Sequence, residues 1–134
     1  MLPSLPDVLA VSPSDSRVLY AGVDGLGMYK SSDGGRTWYA VNAGLNVPPG
    51  ARFVVTAITL DPADPQRVVI ATGVMLGTSS VRLYPGGLYS LLDGGASWTL
   101  LRQPTSDEPL TFMAIKGSQL YARAGDQIVV YPYS

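Results

Sequence analysis

Asp33 stands five residues before Trp38, and Asp93 stands five before Trp98. The chain has no His, which removes the commonest general base and metal ligand, and no Cys, which removes thiolate chemistry. The chemistry open to paired carboxylates is glycoside hydrolysis, which needs two of them facing one bond roughly 5–9.5 Å apart. The sequence has 10 Asp and Glu residues. Asp15, Asp33, Asp61, Asp64 and Asp93 all fall in turn sequences, which leaves Asp7, Asp24, Asp107, Glu108 and Asp126.

The two acid–Trp pairs belong to one octapeptide used twice. Ser31-Ser32-Asp33-Gly34-Gly35-Arg36-Thr37-Trp38 returns 60 residues later as Leu91-Leu92-Asp93-Gly94-Gly95-Ala96-Ser97-Trp98. A segment kept twice in one chain points to a repeated structural unit rather than to a single reactive centre. An Asp opening a tight turn accepts backbone N–H bonds across it, and Gly supplies positive φ without steric cost. The Trp just after the turn is expected to lie over the hairpin end and shield those bonds. A carboxylate occupied in this way makes a poor general base.

The elements that hold these turns repeat as well. Val11–Ala21 matches Leu60–Ala71 with a one-residue gap in the Pro/Asp turn, and Gln119–Ala122 is a third, fainter copy. Gly27-Met28-Tyr29-Lys30 matches Gly87-Leu88-Tyr89-Ser90. β-branched and aromatic runs bounded by turn residues read as strands over 7–11, 17–22, 26–31 and 37–41. The second unit reads as 53–60, 67–72, 87–92 and 97–102, and the third as 110–116, 119–123 and 127–131. Phe53–Leu60 is apolar at both alternating sets of positions, which predicts burial on both faces. With 15 Gly, 11 Pro and only 14% charged residues, the composition suits short strands joined by tight turns and argues against long helices.

Four-stranded units packed face to face describe an all-β chain of β-propeller blades, with a β-sandwich as the alternative. The expected layout over 1–134 is blade 1 at about 7–45, blade 2 at about 51–102 and a partial blade 3 at about 108–132. That gives about three blades and 11 strands, fewer than the four to eight of a closed propeller. The incomplete ring is closed either by self-association or by a longer propeller of which this is a fragment. A homodimer closing six blades about a two-fold axis is the favoured form.

The octapeptide resembles the Asp box of neuraminidase-type repeats, Ser/Thr-x-Asp-x-Gly-x-Thr/Ser-Trp. Ser31, Asp33, Gly35, Thr37 and Trp38 match every position; Asp93, Gly95, Ser97 and Trp98 match all but the first, where Leu91 replaces the hydroxyl. The flanking segments look like repeats of sialidases, sortilin-like proteins, xyloglucan-active glycosidases and the photosystem II assembly factor family. The resemblance implies propeller blades with the boxes on turns between third and fourth strands, away from the binding face. It also implies an extracytoplasmic setting, although Met1–Ala10 has no cationic start and is broken by Pro3 and Pro6, so it does not read as a signal peptide. The sialidase Arg-Ile-Pro signature and a Tyr/Glu nucleophile pair are absent from the sequence.

Antiparallel order puts the Asp boxes and Pro/Asp turns on one rim and gathers the remaining loops on the other. The segment Val74–Pro85 reads as a long loop on that second rim, with no counterpart of its length in the first unit. Arg52, Arg82, Tyr84, Arg102, Asp107 and Glu108 are the candidate binding residues there, suited to a protein or glycan ligand. The favoured reading is a non-catalytic binding module. The alternatives are a fragment of a repeat-containing glycoside hydrolase and a purely structural oligomerising unit. No catalytic residue, metal site or cofactor is assigned. A formal net charge of −1 offers no nucleic-acid footprint, and no apolar run reaches the length of a membrane span.

Overall fold

The computed structural model describes residues 2, 6–23, 25–45, 52–76, 82–91, 97–102 and 110–132. Among the described residues there are eleven strands and no helix. They are β1 (Pro6–Val11), β2 (Leu19–Val23), β3 (Gly27–Ser31), β4 (Tyr39–Ala40), β5 (Arg52–Asp61) and β6 (Asp64–Leu76). The remainder are β7 (Arg82–Leu91), β8 (Trp98–Arg102), β9 (Leu110–Lys116), β10 (Gln119–Ala124) and β11 (Gln127–Pro132). They form three antiparallel sheets, β1-β2-β3-β4, β5-β6-β7-β8 and β9-β10-β11, none closed into a barrel. This is the arrangement of an open, partial propeller. Sheet two lies between the other two, and β5 reaches both β1 and β9.

Each sheet carries a bulge at the same place in its first strand. Asp7, Thr56 and Thr111 are the extra residues where pairing steps from Val23 to Gly22, from Thr72 to Ala71 and from Ala124 to Arg123. Because side chains alternate with period two, one extra residue moves every later side chain to the opposite face. Before the bulge, Phe53 and Val55 join the core shared with sheet one. After it, Ile58 and Leu60 take over that role, while Ala57 joins the core shared with sheet three.

The same bookkeeping aligns the sheets with one another. Val8, Tyr20, Gly22 and Met28 lie on the side of sheet one that meets sheet two, and their structural counterparts Ala57, Val69, Ala71 and Leu88 lie on the side of sheet two that meets sheet three. Facing backward are Val68, Ile70, Tyr89 and Leu91, answered in sheet three by Leu120, Ala122, Val129 and Tyr131. Val68, Val69 and Ile70 have no exposed surface, worth about 1.5–3 kcal/mol each relative to exposure. Burial on both faces is thus real for β6; in β5 Phe53, Val55 and Ala57 are buried and Val54, Ile58, Thr59 and Leu60 half-buried, so neither face is fully exposed along Phe53–Leu60.

Two details differ from the sequence reading. The identity of Arg17 with Arg67 placed a one-residue gap in the Pro/Asp turn, but the strand pairing makes Tyr20 the counterpart of Val69 rather than Ile70. The length difference falls after the second strand instead, in the β6–β7 hairpin. In addition, Val74–Leu76 and Arg82–Pro85 are not loop but ladder, paired as Val74↔Tyr84, Met75↔Leu83 and Leu76↔Arg82. Only the tip, 77–81, lies outside the described residues.

Candidate functional site

The first Asp-Gly-Gly turn is fully described. Asp33 Oδ1 accepts from the Thr37 N–H at 2.9 Å and from the Ser31 hydroxyl at 2.8 Å, and Oδ2 accepts a short bond from the Thr37 hydroxyl. Ser31 Oγ in turn accepts from the Gly35 N–H at 2.9 Å, and Trp38 Nε1 donates to the Gly35 carbonyl at 3.0 Å. Gly34 and Gly35 have φ of 78° and 95°, and the Gly34 N–H donates to the Arg17 carbonyl across to the neighbouring turn. The donors around Asp33, led by the Thr37 hydroxyl and then its N–H, lower its pKa to about 2. A carboxylate that acidic stays ionised and takes up no proton near neutrality.

The second turn follows a different plan at its Trp. Asp93 and Gly95 lie outside the described residues; Ser97 is exposed, and Trp98 is buried. Trp98 Nε1 donates to the Val41 carbonyl at 2.7 Å and its N–H to the Ala43 carbonyl at 2.8 Å, both in the segment leaving sheet one. Trp98 therefore bonds across the joint between sheets one and two. Asn42 anchors the same segment, its Oδ1 accepting from the Met28 N–H at 2.8 Å.

On the opposite rim, the Gly25 N–H donates to the Phe53 carbonyl at 2.9 Å, which docks the β2–β3 turn on the start of β5. Arg52 is exposed there, with its side chain beside Gly25. Arg52 pairs with Met75, which pairs with Leu83; one step inward, Phe53 pairs with Val74 and Val74 with Tyr84. Arg82 follows opposite Leu76. The register thus brings Arg52, Arg82 and Tyr84 to one end of sheet two, on a hairpin whose ladder runs four residue pairs, Gly73↔Pro85 to Leu76↔Arg82, beyond its sheet-one counterpart, or roughly 13 Å. Arg102 pairs with Leu88, further from this end. Asp107 and Glu108 lie outside the described residues.

Sequence reasoning missed a second concave surface. A groove of about 260 Å³ runs across the first strands, lined by Val8, Leu9, Thr56, Ala57, Ile58, Thr111, Phe112 and Met113. It contains two of the three bulge residues, and Thr56 Oγ1 is already donated to the Ala71 carbonyl at 3.2 Å. No motif announces it, because it forms only where strands far apart in sequence come together. Among the described residues, no cluster of three or more Asp or Glu could hold a metal ion, and no helix is long and apolar enough to cross a membrane.

No family model matches the chain. The chain is similar to a xyloglucanase from a Paenibacillus species, 34% identical over 118 residues covering 79% of this chain. It is also similar to a probable oligoxyloglucan-reducing end-specific xyloglucanase from Neosartorya fischeri, 31% identical over 104 residues and 75% of this chain. In both cases the match covers 11% of the relative, so the chain spans about one ninth of the length of the curated relatives it matches.

Proposed function

We propose that this chain is a propeller segment of the xyloglucanase kind that contributes a glycan-contacting scaffold rather than the acid–base pair. The observation that carries this reading is the similarity to two xyloglucanases across three quarters of the chain. Two physical features support it. The best-described turn carboxylate is held near a pKa of about 2 by its own turn and cannot shuttle a proton at neutral pH. The extended β6–β7 hairpin carries Arg82 and Tyr84 at the same end of sheet two as Arg52, and guanidinium and phenol groups hydrogen-bond sugar hydroxyls while aromatic rings stack on sugar faces.

Titration calorimetry of the 134-residue chain with xyloglucan oligosaccharides tests the reading, with a reducing-end release assay on the same samples. Binding without hydrolysis is expected, weakened at least several-fold by Arg52→Ala, Arg82→Ala or Tyr84→Ala. Release of reducing ends by the purified chain overturns the non-catalytic reading. Absence of oligosaccharide binding, or binding that none of the three substitutions alters, overturns the rim assignment and favours a purely structural unit.

A further inference from the structure

An Asp-Gly step is among the most fragile links a polypeptide carries. The Gly nitrogen attacks the carbon of the Asp side-chain carboxyl group, one water leaves, and a cyclic imide forms. Water then reopens the ring, and breakage at the main-chain carbonyl leaves the backbone running through the Asp side chain as isoaspartate. The reaction needs a free Gly N–H, a mobile carboxyl group and a proton on the departing oxygen.

The first Asp-box turn contains such a step at Asp33-Gly34 and cannot avoid it. Gly34 has φ of 78°, and an added Cβ would meet nothing within 4 Å, so backbone conformation rather than space demands the glycine. Asp33 is demanded as well, because its carboxylate collects the donors of the turn. Both residues are exposed, so burial does not keep water from them.

Each reacting group is nevertheless occupied. The Gly34 N–H donates to the Arg17 carbonyl at 2.9 Å, which turns it toward the neighbouring turn. The carboxylate is pinned by the Thr37 N–H and the Ser31 hydroxyl on Oδ1 and by the Thr37 hydroxyl on Oδ2. Ser31 has no exposed surface and is itself fixed by the Gly35 N–H at 2.9 Å. The same donors keep Asp33 ionised down to a pH of about 2, so the departing oxygen lacks its proton.

We propose that the hydroxyls of Ser31 and Thr37 are a chemical guard, occupying the Asp33 carboxylate while Arg17 occupies the Gly34 N–H, so that an exposed Asp-Gly step does not turn into isoaspartate. The hydroxyl positions of the octapeptide thus protect the covalent chain as well as its conformation. This role is independent of any ligand on the other rim.

The folded chain and the same chain unfolded in guanidinium chloride are incubated for weeks at about pH 5, where an ordinary Asp is partly protonated. Trypsin then releases Ser31–Arg36, in which Asp33 is the sole acid. Its isoaspartyl form separates by chromatography and is identified by electron-transfer fragmentation. Isoaspartate at Asp33 should form at least about tenfold more slowly in the folded chain. Thr37→Val and Ser31→Ala each remove one hydroxyl and leave every backbone donor, and each should raise the folded rate several-fold. Thr37 is exposed, so its variant carries the test should alanine at the buried Ser31 position unfold the chain by circular dichroism. Trp38→Phe breaks the bond to the Gly35 carbonyl without touching the carboxylate, and should leave the rate near that of wild type. Equal rates in folded and unfolded wild type overturn the proposal. So does a folded rate indifferent to the hydroxyl substitutions, or one raised as far by Trp38→Phe, which would assign the protection to rigidity of the turn.

Discussion

Trp98 donates its indole N–H to the carbonyl of Val41 across the joint between sheets one and two, at 2.7 Å. The equivalent Trp38 turns inward to Gly35 of its own hairpin instead. One repeated residue thus bonds two different acceptors, one within its own turn and one in the neighbouring sheet's exit segment. The buried Trp98 bond is out of reach of water, which makes its loss costly.

Trp98→Phe should destabilise the chain by about 1–3 kcal/mol or more, since the Val41 carbonyl loses its partner and the smaller phenyl ring packs less of the buried site. Trp38→Phe should cost less, because Trp38 is only half-buried. Urea unfolding of the two variants side by side checks the ranking. Equal losses would place the stabilisation within the hairpins rather than across the joint.

Gly22→Ala tests how tightly the sheets meet. The new methyl would stand 2.7 Å from both the Val55 Cβ and Val8 Cγ2, so one sheet must yield. Overpacking of this kind costs about 1–3 kcal/mol. An unchanged denaturation midpoint would mean that the joint is looser than its geometry.

Acid should loosen the first turn in a defined window. The folded pKa of Asp33 lies near 2, below the ordinary carboxylate value, so its stabilising contribution is complete above that ordinary value and is lost as pH falls through the folded one. The stability gap between wild type and Asp33→Asn should therefore shrink between about pH 4 and pH 2. Thermal melts across that range measure it; a gap independent of pH would assign the turn's stability to Ser31 and the glycines.

Ser90→Ala should be neutral or stabilising. Ser90 is 1% exposed, and its Oγ is buried with no hydrogen-bond partner among the described residues. Removing a buried, unpaired hydroxyl relieves a desolvation penalty of about 1–3 kcal/mol, offset by a small loss of packing. A clear fall in melting temperature would reveal a partner for that hydroxyl.

The strand order was legible in the sequence because Gly and Asp punctuate it, and the Asp-Gly-Gly turn was legible because its chemistry is local: Ser31, Asp33 and Thr37 satisfy one another within seven residues. The bulges at Asp7, Thr56 and Thr111 were not. Asp fills this structural position once and Thr twice, neither of them a bulge signal in itself, and only the pairing partners betray it. The role of Trp98 was hidden for a related reason, since its acceptor is 57 residues away. The Arg17–Arg67 identity misled the alignment because turn residues resemble one another more than the strands they connect, whereas face parity admits one register alone.

The elongated β6–β7 hairpin obeys a growth rule that follows from its pairing. Every residue added to one arm needs a partner on the other, as Leu76 has Arg82 and Val74 has Tyr84. Lengthening by matched couples carries the tip outward like an extending ladder and leaves the joints at Gly22 and Ala71 untouched. A single unmatched insertion would invert the two sides of the arm. Reach at this rim is thus an adjustable quantity, free to vary in whole rungs while the stack beneath it stays in phase.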